Sequence, residues 1–137
     1  MRIKRENGTA ALELMLVAPA LILLLGVVVG AGRVVSTKSA VLDIARESAR
    51  AAADAPDSQS ASAVAMARAR EVAAGLGLDV TRLVVEEEAG TFDRGTPYTV
   101  TISYRVRLGD LPAFGLLPGS FVVTGHHTEL TDRYRSR

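Results

Sequence analysis

The chain has 137 residues, of which 48% are hydrophobic, and its 16 Lys and Arg side chains nearly balance 15 Asp and Glu. This length suits one small domain, and the net charge of +1 lacks the basic excess with which proteins bind nucleic acid. The absence of cysteine excludes disulfides, thiol nucleophiles and cysteine-ligated metals. The absence of tryptophan argues against a large aromatic-lined pocket.

A long apolar run follows a short basic N-terminus. Residues 14–32 are 19 consecutive uncharged residues. As a helix they would span roughly 28 Å, close to the hydrocarbon thickness of a bilayer. The run has no polar stripe and is longer than the apolar region of an ordinary cleaved signal peptide. We therefore predict a transmembrane helix, and the preceding Arg2, Lys4 and Arg5 favour a cytoplasmic N-terminus with an exported C-terminal part.

Glu13 lies at the edge of this apolar segment. A carboxylate there is costly unless it is paired or close to the headgroups, so one interpretation is an idle residue at headgroup level. The spacing from Gly8 offers another. Cleavage after Gly8 would make Thr9 the N-terminus and Glu13 the fifth residue. Residues i and i+4 share a helix face, so the Thr9 amine would lie one turn from Glu13, or meet the Glu13 of a neighbouring subunit.

The first helix is predicted to continue beyond the membrane to residue 53, because residues 33–53 contain no Gly or Pro and Pro56 follows. Pro19 predicts a kink or local melting. The pair Gly26 and Gly30 either lets another helix approach closely or is incidental. The predicted apolar face beyond the membrane consists of Val34, Val41, Ala45, Ala49 and Ala52.

A second helix and three strands are predicted to form an exported head. The helix covers residues 58–75, with Asp57 or Ser58 as N-cap. Strands are predicted at residues 80–88, 98–108 and 120–130, and the second alternates apolar and polar residues throughout. The predicted fold class is α+β, with a small antiparallel sheet packed on the helices. The residues predicted to face the core of the head are Ala61, Ala65, Ala69, Val72 and Leu76 on the second helix, the even-numbered residues from Tyr98 to Leu108 on the second strand, and Phe121 and Val123 on the third strand.

The head offers little chemistry. His126 and His127 are adjacent, so a strand would point them to opposite faces, where they cannot share a metal. The run Glu86 to Glu88 is split in the same way, and we interpret it as a solvated strand end. No nucleophile–base signature or phosphate-binding loop is present. We therefore predict that the chain is not an enzyme and has no cofactor or metal site.

The loop at residues 109–119 is too apolar for an ordinary solvated turn. Two interpretations stay open: a flap that closes a small core, or a docking patch for another subunit. Its apolar side chains are Leu111, Phe114, Leu116 and Leu117.

The sequence GTAALELMLVAPALILLLGVV at residues 8–28, with Pro19 six residues after Glu13 and an Ala-Arg-Glu-Ser-Ala-Arg run at residues 45–50, resembles the TadE-like pseudopilins of tight-adherence (Flp-type) pilus systems. The resemblance implies a minor pilin with a leader at residues 1–8, a membrane and extended helix at residues 9–53, and a head at residues 54–137.

The same resemblance implies a precursor in the bacterial cytoplasmic membrane that prepilin peptidase cuts after Gly8. The implied processing site consists of Gly8, Thr9 and Glu13. The implied partners are other pilins and the pilus assembly platform, and the implied roles are pilus assembly and adhesion. Helix packing in the assembly would use Glu13, Pro19, Gly26 and Gly30. The alternative from a different class is an uncleaved single-pass anchor whose exported head binds a partner or ligand.

Overall fold

A computed structural model of the chain describes residues 6–89, 92–93, 95–112, 115 and 118–131, with side chains described from residue 11 onward. Two compact units are present: residues 1–34 with 107–119, and residues 35–106 with 120–137. The element order is two helices followed by three strands, which confirms the predicted α+β class.

The first helix, α1, runs from Glu6 to Ala53 as one continuous element. The helix assignment passes through Pro19 without a break, so the local melting expected there does not occur. From residue 41 onward α1 buries one face. Val41, Ala45, Ala49 and Ala52 on this face were predicted and are fully buried, Ile44 and Ser48 join them, and Val34 is only half-buried.

The second helix, α2, covers Ser58–Gly75, as predicted. Asp57 is its N-cap, and its carboxylate accepts a hydrogen bond from the Ser60 backbone N–H at 2.8 Å. Arg68 bonds Glu47 of α1 at 3.0 Å and Glu71 at 3.1 Å, which ties the two helices together. The buried stripe of α2 is all alanine, namely Ala61, Ala65, Ala69 and Ala73. Val72 and Leu76 were predicted for this stripe and lie half-buried and exposed instead.

Three strands form one sheet in the order β1-β2-β3, with β1 at Leu83–Ala89, β2 at Pro97–Arg107 and β3 at Ser120–Leu130. β1 pairs antiparallel with β2. The first strand begins later than predicted because Asp79 caps a short 3₁₀ turn at Val80–Arg82, accepting bonds from the Thr81 N–H and hydroxyl at 3.0 and 2.6 Å.

The inner face of the sheet holds the core of the head. Tyr98, Val100 and Ile102 are at most 1% exposed, and Tyr104, Val106 and Val123 are also buried, so the predicted alternation of β2 is confirmed. Leu108, placed on this face by the sequence, lies in a 3₁₀ turn after the strand and is half-buried.

α1 approaches β3 most closely at Gly125. A Cβ atom on this glycine would lie 3.0 Å from Val41 Cγ1 and Leu42 Cδ2, and 3.3 Å from the Leu42 backbone nitrogen. Beside it, the Lys38 amine donates a hydrogen bond to the Thr124 carbonyl. The sheet therefore tolerates only glycine at this crossing without a shift of the helix.

Candidate functional site

The candidate processing segment lies at the start of α1. Gly8, Thr9 and Glu13 are all helical, and the Glu13 side chain is exposed.

Thr9 and Glu13 share one face of α1. They are four residues apart in a continuous helix, which corresponds to about 6 Å along the axis and one turn around it. The Glu13 side chain is exposed on this face of the helix.

The apolar part of α1 exposes its side chains. Leu16 is 80% and Met15 is 72% exposed, and large apolar side chains from Leu12 to Val29 behave similarly. A helix in the core of a soluble protein would bury these groups. Among the described residues, α1 is the one helix long and apolar enough to cross a membrane, over Ala11–Ala53.

Small residues and a proline shape the surface of this segment. Gly26 is half-buried and Gly30 is buried, while the larger residues between them are exposed. Glycines four residues apart on one face of a membrane helix are a common site of close approach between helices. Pro19 lacks an N–H, so the Met15 carbonyl loses its helical hydrogen bond at this point.

The apolar loop between β2 and β3 is only partly described. Its first residues form a 3₁₀ turn at Leu108–Asp110, and the Leu108 N–H donates to the Gly119 carbonyl at 3.0 Å. Leu111 is buried. Phe114, Leu116 and Leu117 of the predicted docking patch lie outside the described residues.

The acidic run on β1 is divided between the two faces of the sheet. Glu86 and Glu88 are exposed, whereas Glu87 lies half-buried on the inner face, where its carboxylate accepts a 2.9 Å bond from the Tyr98 hydroxyl. The interpretation of this run as a solvated strand end therefore fails for Glu87. Burial and the bond to Glu87 raise the pKa of the Tyr98 phenol above its ordinary value.

The histidines of β3 follow the predicted alternation. His126 is exposed and His127 is half-buried, and His127 Nε2 lies 3.3 Å from Glu129 Oε2. Within the described part of the chain, no group of three His, Cys, Asp or Glu side chains is placed to hold a metal ion.

Sequence reasoning missed the residues that join α1 to the sheet. Gly125 and Lys38 contribute to the contact where α1 crosses β3. Ser48 is fully buried on a face of α1 that was predicted to be apolar. No local signal marks them, since a glycine within a strand indicates close backbone approach without naming the neighbour.

Comparison with known proteins agrees with the N-terminal features. No curated protein and no solved structure matches the chain significantly. The family of TadE-like proteins, a structural and non-enzymatic family, matches residues 8–50. The matched segment begins at Gly8, includes Glu13 and the whole apolar run, and ends inside α1. The match confirms the resemblance predicted from the sequence: residues 8–50 are similar to TadE-like proteins, a family associated with Tad pili.

Proposed function

We propose that the chain is a minor pilin, or pseudopilin, of a tight-adherence (Flp-type) pilus, and that it acts in pilus assembly and surface adhesion. The observation that carries the proposal is the extent of the family match, which starts at Gly8 and stays within one continuous helix. That helix joins the candidate cleavage segment, the membrane-length apolar run and the first part of the head core.

The precursor is inserted with its basic leader in the cytoplasm and its head exported. Prepilin peptidase cuts after Gly8, where the absence of a side chain suits a cleft that holds an extended backbone closely. The cut removes residues 1–8, which carry Arg2, Lys4, Arg5 and Glu6, so the net charge changes from +1 to −1. The mature protein then consists of the helix at residues 9–53 and the head at residues 54–137.

Glu13 acts after processing. In the precursor membrane its carboxylate lies near the headgroups or takes up a proton, whereas in a helical bundle it loses water and needs a cation. The Thr9 amine, created by the cut, supplies one on the same subunit or the next. Unit charges about 4 Å apart attract by about 4 kcal/mol at an effective dielectric of ~20, and only part of this survives desolvation. The remainder favours one axial register between neighbouring helices.

Helix packing and docking complete the assembly role. The pair Gly26 and Gly30 lets a neighbouring pilin helix approach closely, and Pro19 sets the path of the helix within the bundle. Phe114, Leu116 and Leu117 of the apolar loop contribute a contact with another subunit or with the assembly platform, whereas the fourth predicted docking residue, Leu111, is buried.

The experiment separates processing from assembly. In a piliated strain that lacks the chromosomal copy, wild type, Glu13→Val and the control Leu16→Val are expressed at equal levels. We expect all three to reach the same mature mass. Crosslinking near Thr9 to other pilins, and surface pili, should fall sharply for Glu13→Val alone.

Two outcomes would contradict the proposal. Normal piliation by Glu13→Val would reduce Glu13 to a tolerated boundary residue. Normal piliation and attachment in the strain without any copy would remove the pilus role itself and favour the uncleaved membrane anchor.

A further inference from the structure

The outer face of the sheet carries a defined pattern of side chains. Pairing of β1 with β2 sets Val84 beside Ser103 and Glu86 beside Thr101. On the other side of β2, the Ser103 hydroxyl lies 3.2 Å from the Thr124 hydroxyl, and Thr99 lies 2.8 Å from Thr128. These pairs place β3 antiparallel to β2. The middle of the face is therefore a row of one valine and two hydroxyl residues whose polar groups already bond each other.

Charge is separated along this face. On β1, Glu86 and then Glu88 lie on one side of the middle row. Arg105 on β2 lies on the other side, four residues along the strand from Thr101, the residue that pairs with Glu86. That separation is about 14 Å along the strand. All three side chains are exposed, and none makes an ion pair with another residue of the described part of the chain.

Apolar side chains lie within and beside the middle row. Val84 is 53% exposed and Val122 is 55% exposed, both on the outer face. The inner face, by contrast, is buried, and α2 contacts β1 from that side. The outer face thus combines exposed apolar side chains, hydroxyl groups that bond each other, and two acidic side chains (Glu86, Glu88) and two basic ones (Arg105, Arg107) on opposite sides of the middle row.

We propose that this outer face binds the same face of a second copy of the chain. A two-fold axis along the row of Val84, Ser103 and Thr124 places each Arg105 opposite Thr101 of the other copy, about 5 Å to the side of that copy's Glu86 and within reach of the long Arg side chain. The face is self-complementary about this axis, because Glu86 and Arg105 lie two residue steps to either side of Ser103. A partner surface with charges of only one sign would meet a like charge at either Glu86 or Arg105.

The interface is small. Three strands about 4.8 Å apart and up to about 11 residues long give roughly 500 Å² per copy, which is below the size of stable dimer interfaces. We therefore expect a weak contact that forms when the helix α1 concentrates copies in one membrane. This inference does not depend on cleavage after Gly8.

The test uses full-length protein in bacterial membranes. The chain has no cysteine, so Ser103→Cys introduces the one thiol, on the proposed axis. A bis-maleimide about 10 Å long matches the distance between packed sheets. Ala63→Cys, at an exposed position of α2, is the control for random collision. We expect dimer from Ser103→Cys well above that from the control.

Charge reversal provides the sharper arm. In the Ser103→Cys background, Glu86→Arg alone and Arg105→Glu alone should each reduce dimer about tenfold, because two ion pairs become two like-charge contacts. Co-expressing the two variants with different tags should restore a mixed dimer, since positions 86 and 105 are then both basic in one copy and both acidic in the other. This rescue also shows that both variants are folded.

Three results would overturn the proposal: equal crosslinking of Ser103→Cys and the control, no mixed dimer from the two reversed variants, or Ser103→Cys adducts only to a different protein in piliated cells.

Discussion

Replacing Gly125 with alanine measures how closely α1 approaches β3. The added Cβ would lie 3.0 Å from Val41 Cγ1 and Leu42 Cδ2, whereas carbon atoms in contact prefer about 3.5–4.0 Å. The Leu42 backbone nitrogen lies 3.3 Å from the same point, so side-chain rotation alone does not relieve the contact. Either α1 or β3 must move.

The expected cost follows from two opposing effects. Overpacking a well-filled core costs about 1–3 kcal/mol, while the loss of glycine's freedom in the unfolded chain returns about 0.4–1 kcal/mol. We expect a net loss of about 1–2 kcal/mol in the free energy of unfolding. For a domain of this size, that corresponds to a fall of roughly 5–10 °C in Tm.

The assay is thermal unfolding of the full chain in detergent micelles, followed by circular dichroism. Gly75→Ala is the matched control, because a Cβ at Gly75 meets nothing within 4 Å, and its Tm should be unchanged or slightly higher. Adding Val41→Ala to Gly125→Ala should cost less than the sum of the single changes, since the shortened side chain makes room. A Gly125→Ala protein as stable as wild type would refute the close crossing of α1 over β3.

Three further changes test the head. Ile102→Asp should cost several kcal/mol by burying an unpaired charge, whereas Thr101→Asp on the opposite face should cost about 0.5 kcal/mol or less; equal sensitivity of the two full-length variants to trypsin would contradict the assigned faces. Asp57→Ala should lower stability by about 1 kcal/mol and Asp57→Asn by less, because only alanine removes the cap of α2; equal Tm values for the two variants would argue against this cap. The raised pKa of Tyr98 means that the folded state holds its proton more tightly, so this stabilisation is complete below about pH 10, the ordinary tyrosine pKa, and is lost as pH rises toward the folded value. Tyr98→Phe should therefore be less stable at pH 7 but lose less between pH 9 and 11 in alkaline unfolding, and parallel pH curves would contradict the buried bond to Glu87.

Sequence periodicity predicted most of the elements. The bounds of α2 and β3 and the inner face of β2 follow from local signals: an N-cap, an alternation and a proline or glycine boundary. β1 begins at Leu83 rather than residue 80 because Asp79 captures the next residues in a 3₁₀ turn. Side chain–backbone bonds of this kind compete with strand formation and leave little trace in apolar periodicity.

Packing between elements was harder to predict. The helical repeat was compatible with a buried face of α2 that includes Val72 and Leu76. The helix instead buries Ala73, which has a smaller side chain. The alanine stripes allow a short distance between helices, and only the tertiary arrangement shows which alanines are used. Gly125, likewise, acquires its meaning from Val41 and Leu42, more than 80 residues earlier in the chain.

The sequence of the mature N-terminus tests the central proposal most directly. The protein is purified from membranes of piliated cells, and its intact mass and first residues are determined beside those of Gly8→Leu and of cells without prepilin peptidase. We expect the wild-type protein to start at Thr9 and both comparison samples to retain residues 1–8. An intact leader on the wild-type protein in piliated cells, or normal processing of Gly8→Leu, would contradict it.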